Sequence, residues 1–95
     1  GTPDGPDDDD GPYFTEAEAR AAAQSRGWRP VGRTSRGTQV YQDSRGTYWT
    51  RDVPSRSTGT THNGGAWKAA RTERGLESRD TRLGTYDRNL VRIGP

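Results

Sequence analysis

The sequence predicts an α+β domain in which an N-terminal helix, or two, packs on a twisted antiparallel β-sheet of about four strands. Three observations carry that reading. An alanine-rich segment with capping residues at both ends lies near the N-terminus, the apolar spacing then changes from helical to alternating, and turn residues separate the alternating segments.

Residues 1–12, GTPDGPDDDDGP, hold five aspartates and no basic or large apolar side chain. They cannot bury enough surface to order themselves, so they read as a disordered acidic linker. Residues 13–95 then form a single small domain. TEAEARAAAQSRG follows the linker. Thr15 is its N-cap, Glu18 completes a capping box and Gly27 is the stop, which gives a helix over about 15–26. Phe14 and Trp28, just outside the two ends, are expected to fold back on Ala17, Ala21 and Ala22. Beyond RPVGRTSRG the spacing becomes that of strands. TQVYQ and TYWTRDV flank the turn DSRG as a hairpin. PSRSTGTTHNGG is too polar and glycine-rich for an element and reads as a loop. AWKAAR resumes as a strand, TERGLES turns, RDTRLGTYD forms the next strand and NLVRI closes the chain.

Hydrophobic residues make up 25% of the 95, and the mean hydropathy is −1.25. The large apolar side chains are Phe14, Trp28, Val31, Val40, Trp49, Val53, Trp67, Leu76, Leu83, Leu90, Val91 and Ile93. A domain this small should bury nearly all of them, with the three tryptophans carrying much of the core. The chain has no cysteine, which excludes disulfides, thiolate metal sites and a cysteine nucleophile. No apolar run approaches the ~20 residues that span a bilayer, and no signal-peptide pattern opens the chain. The Pro/Gly/Asp start without an initiating methionine reads as a domain of a longer parent protein. Residues 13–95 carry 15 basic and 8 acidic side chains, a net of +7 against +2 for the whole chain. Such a surface favours a polyanionic partner.

The segment HNGGAWK, residues 62–68, holds the only histidine and the only lysine. One histidine, no cysteine and carboxylates clustered only in the linker argue against a metal centre, and neither a metal nor a cofactor is expected. A phosphate-binding Walker loop and a nucleophile elbow are missing as well. Metal-free RNA cleavage needs less: a base for the ribose 2′-hydroxyl, an acid for the leaving 5′ oxygen, and cations for the developing charge. His62 is the natural proton-transfer group. Lys68 and nearby arginines can hold the phosphate, and Thr85 or Tyr86 can bond a phosphate oxygen or share in proton transfer. His62 as an exposed loop residue and Lys68 lying over the Trp67 ring are the structural alternatives. Strict alternation puts Trp67, Ala69 and Arg71 on one face and Lys68 and Ala70 on the other. It also groups Arg82, Gly84 and Tyr86 against Leu83, Thr85 and Asp87. With Trp67 and Leu83 inward, Lys68, Arg82 and Tyr86 would share an open face with His62 at its edge. Asn63, Trp67, Arg71, Arg82 and Asp87 are the expected substrate contacts.

The succession VYQDSRGTYWTRDV, HNGGAWKAARTERG and RLGTYDRNLVRI, from about Gly37 to Ile93, resembles the C-terminal toxin domain of bacterial polymorphic and contact-dependent inhibition toxins known as novel toxin 21. HNGGAWK and GTYDRNL are its most specific parts. That group is assigned to the barnase/EndoU/colicin/RelE ribonuclease superfamily. The resemblance implies N-terminal helices on a twisted antiparallel sheet, and a metal-independent toxin that cleaves RNA, with tRNA the expected class. It further implies delivery from the producing cell's surface as part of a larger effector, action in the target-cell cytoplasm and neutralisation by a cognate immunity protein. His62, Lys68, Thr85 and Tyr86 lie in the matching motifs as catalytic candidates. Two other classes fit the same charge: a nucleic-acid-binding module without catalysis, and a protein-interaction domain of a larger secreted protein.

Overall fold

The computed structural model describes residues 11–54, 57 and 64–95. Helix α1 (Glu16–Ser25) precedes strands β1 (Arg29–Arg33), β2 (Gln39–Gln42), β3 (Tyr48–Arg51), β4 (Trp67–Ala70), β5 (Arg82–Tyr86) and β6 (Arg92–Gly94). The strands form one antiparallel sheet in chain order. The α+β class holds, but the sheet has six strands rather than about four. β1 lies in RPVGR, where Pro30 and Gly32 hid it. Proline has no N–H to donate and is tolerated in β1 because this is an edge strand, bulged between Pro30 and Gly32. β6 is only three residues long and forms by pairing back on β5.

Helix α1 ends where local chemistry places its ends. Thr15 Oγ1 accepts the Glu18 N–H at 3.1 Å, and the Glu18 carboxylate accepts the Thr15 and Phe14 N–H groups. At the other end Gly27 takes φ +80°, with Trp28 N–H bonded to the Ala23 carbonyl and Gly27 N–H to that of Gln24. This glycine stop turns Trp28 back into the core. The buried helical positions are Ala19 and Ala23, whereas Ala17 and Ala21 are exposed. Tyr13 folds back in place of Phe14, which is 61% exposed. Val31, Val53 and Val91 are exposed too, so the core is narrower than the apolar inventory suggested.

That core is aromatic. Trp28 stacks on Trp49 with ring centres 4.9 Å apart, and Trp67 meets Trp28, Tyr13 and Tyr41 edge-on. Alanines at the helix surface let the backbone come close to these rings. The Glu16–Arg51 ion pair, the Gln39 N–H donated to Glu16 and the Arg51 bond to the Tyr13 carbonyl fix the helix to the sheet. Arg88 donates to the Gly11 and Pro12 carbonyls and lies 4.3 Å from the Tyr13 ring centre. Pro12 is buried, so packing extends into the last two residues read as linker, while residues 1–10 lie outside the described residues. On the opposite sheet face a 3-10 turn, Arg74–Glu77, lays Leu76 over Val40 and Ala70.

Candidate functional site

The face away from the helix is assembled by register. Across three strands Thr50 pairs with Lys68 and Lys68 with Thr85, and paired residues project to the same side. Strict alternation would then send Arg82 to the other side. It does not, because Ala69 pairs with Gly84 while Ala70 pairs with Arg82, leaving Leu83 as an extra residue. Gly84 at φ +152° accommodates this bulge, and a Cβ there would lie 2.8 Å from the Gly94 carbonyl and against the Arg92 side chain. The bulge therefore puts both Arg82 and Thr85 beside Lys68. It sends Leu83 and Tyr86 to the helix side, where Tyr86 packs edge-on against Trp49. The expectation that Tyr86 shares the open face is overturned by this one residue.

A cavity of about 160 Å³ is lined by Asp52, Lys68, Arg79, Arg82, Thr85 and Pro95. Asp52, just past β3, is 6% exposed, and its Oδ1 lies 3.5 Å from Lys68 Nζ. Its backbone N–H bonds the Ala66 carbonyl at 2.8 Å, which fixes it to the start of β4. Thr85 Oγ1 donates to the Pro95 carbonyl at 3.0 Å. Arg82 Nε is buried and has no hydrogen-bond partner among the described residues. Burial holds the Lys68 ammonium below the usual lysine range; Asp52 opposes the shift, and the Arg82 and Arg36 charges add to it. The result is a compact, half-buried cation that releases its proton more readily than a surface lysine.

Of the residues expected from sequence, Lys68, Arg82 and Thr85 meet here. His62 and Asn63 lie outside the described residues. Trp67 is fully buried in the helix-side aromatic core, so its ring is closed to a substrate. Arg71 is exposed beyond the end of β4. Asp87 serves the β5–β6 turn, where its carboxylate accepts the Asn89 and Val91 N–H groups at 2.8 and 2.9 Å. Asp52 was missed by sequence reasoning. A signal existed in TYWTRDV, since an aspartate two positions after Thr50 falls on the same face as the residue opposite Lys68. Among the described residues no three metal-ligating side chains converge.

The sequence profile of the family described as novel toxin 21 matches residues 21–95, a span that includes Asp52, Lys68, Arg82 and Thr85. No curated protein matches the chain. Among solved structures, the chain is similar to a CdiA-CT/CdiI toxin and immunity complex from Enterobacter cloacae. The TM-score is 0.50 and the identity 27%, covering 86% of this chain and 100% of that one. The chain thus belongs to the novel toxin 21 family, the C-terminal toxin domains of polymorphic and contact-dependent inhibition systems.

Proposed function

We propose that this domain is a metal-independent ribonuclease toxin that cleaves RNA, with tRNA the first substrate class to test. The observation that carries the reading is the pairing of Lys68 with Arg82, whose buried Nε has no partner among the described residues, at one wall of a cavity. Lys68 and Arg82, with Arg79 on the same cavity, suit a phosphodiester. In the reaction the ribose 2′-oxygen attacks the adjacent phosphorus as its proton passes to a base, and the P–O5′ bond breaks as an acid protonates the leaving oxygen. The products are a 2′,3′-cyclic phosphate and a 5′-hydroxyl. His62, six positions before Lys68, serves as one proton-transfer group. Lys68 stabilises the charge on the phosphate or supplies the second proton, Arg82 holds a non-bridging oxygen, and Asp52 keeps Lys68 in place.

The Enterobacter cloacae likeness, a toxin bound to an immunity protein, supports a cognate immunity partner for this chain. The +7 balance of residues 13–95 calls for an acidic one. The free domain acts as a monomer in the target-cell cytoplasm after delivery from a cell surface within a larger effector. No helix among the described residues is long and apolar enough to cross a membrane. Incubating the purified domain with total tRNA tests the reading. Cleavage supports it, retardation without cleavage makes the domain a binding module, and neither outcome favours a protein-interaction role.

A further inference from the structure

The groove does not end at Lys68. A second cavity of about 140 Å³ adjoins the first, and Lys68 and Arg82 line both, so these two cations form the partition. Its lining also includes Thr34, Arg36, Thr38, Thr50, Arg51 and Glu77. The three hydroxyls form a chain, Thr34 to Thr38 at 2.7 Å and Thr38 to Thr50 at 2.7 Å, which ends opposite Lys68 in the β3–β4 register. Arg36 projects from the loop between β1 and β2, and that loop is held from several sides. Thr34 N–H bonds the Thr38 carbonyl and Gly37 N–H that of Thr34, each at 2.9 Å, and Arg33 reaches the Gly37 carbonyl at 2.8 Å. Glu77, from the 3-10 turn, takes both the Ser35 N–H at 2.8 Å and the Ser35 hydroxyl at 2.7 Å. Those two bonds pull the Glu77 carboxyl below its ordinary range. Glu77 thereby anchors the loop and also feels the Arg36 charge, while Arg36 makes no hydrogen bond with another described residue.

We propose that this second cavity, built by Arg36 and the Thr34–Thr38–Thr50 hydroxyls, binds the phosphate that neighbours the cleaved one on the same RNA strand. The inference rests on the ribonuclease reading and deepens it. Lys68 and Arg82 face the scissile phosphate on one side and share the next phosphate with Arg36 on the other. Four cationic side chains, Arg36, Arg51, Lys68 and Arg82, line the cavity against one carboxylate, Glu77, and with Arg51 paired to Glu16 the remaining excess of positive charge favours a further anion between them. A polynucleotide supplies two successive anions, whereas a dinucleoside monophosphate supplies one. The groove therefore selects strands over single linkages, as basic channels that follow a backbone do.

The test uses a fluorescein-labelled single-stranded RNA of mixed sequence, roughly ten nucleotides long, titrated by anisotropy between about 50 and 200 mM salt. The proteins are the unsubstituted domain, Arg36→Ala, and Arg45→Ala as a control for loss of an exposed arginine in the β2–β3 turn. Arg36→Ala should weaken binding about threefold to tenfold and lower the salt slope by about 0.7, the value of one single-strand phosphate contact, while Arg45→Ala leaves the slope unchanged. Its affinity for a dinucleoside monophosphate should equal that of the unsubstituted domain. Equal slopes for Arg36→Ala and Arg45→Ala, or an equal loss on the dinucleoside monophosphate, would overturn the second site. Cleavage by the unsubstituted domain is followed in parallel: binding without cleavage sinks the ribonuclease reading and leaves the slopes to decide the phosphate site. An unsubstituted domain that does not bind the RNA overturns both.

Discussion

Lys68 is the single lysine among 15 basic side chains, and its surroundings give that choice a physical reason. Between Asp52, Arg82 and Thr85 there is room for a compact ammonium, and a guanidinium is bulkier and effectively never deprotonated. Lys68→Arg should therefore keep the fold and RNA binding but lose about 10²-fold or more in single-turnover cleavage. Thermal melts and RNA affinity on the same preparation establish the first two points. Near-normal cleavage would reduce Lys68 to a phosphate clamp. The pH profile carries a sharper expectation. A proton donor works only while charged, so cleavage should fall as pH rises through the Lys68 pKa, which lies below the ordinary lysine value. Arg82 lowers that pKa and Asp52 raises it. Arg82→Gln should thus move the alkaline limb of kcat/KM to higher pH, and Asp52→Asn should move it to lower pH, whatever each does to the maximum rate. Limbs that stay put or move together would assign the titration to another group.

At the scale of elements, the β5 bulge decides which side chains the groove contains. Gly84→Ala would place a methyl against Arg92 and the Gly94 carbonyl in a backbone conformation that side chains rarely adopt. The expected cost is about 2 kcal/mol in thermal or denaturant unfolding, with cleavage reduced as β5 shifts. A variant as stable as its parent would show that the bulge relaxes freely. The same element shows what a sequence can reveal. The capping of α1 was legible because each signal, Thr15, Glu18 and Gly27, acts within a few residues of its effect. Strands β1 and β6 were not, since an edge strand containing proline and a three-residue closing strand owe their existence to their neighbours. The bulge has a local sign, a lone glycine in a strand, yet only pairing with Ala69 and Ala70 reveals which residue is extra.

Across the whole molecule, the aromatic core lies on the helix side, and Arg36, Lys68 and Arg82 gather on the other. The lone lysine drew attention to Lys68, and alternation with Trp67 and Leu83 inward placed Arg82 beside it. Thr85 joined them for a reason the alternation rule reversed, and Tyr86 left on the same account. Trp67 was claimed by the core because a domain with so few large apolar side chains uses its rings for packing. Asp52 stayed hidden since its importance comes from a neighbour sixteen positions away in sequence. An acidic immunity protein should cover Lys68 and Arg82, and a structure of the complex with both open to solvent would refute direct blocking. The central claim, RNA cleavage by side chains alone, is tested most directly by incubating the purified domain with total RNA in excess EDTA and following cleavage. The account predicts that cleavage persists there at its rate in buffer without chelator. Intact RNA under EDTA, with cleavage restored by Mg²⁺ or Zn²⁺, would contradict it.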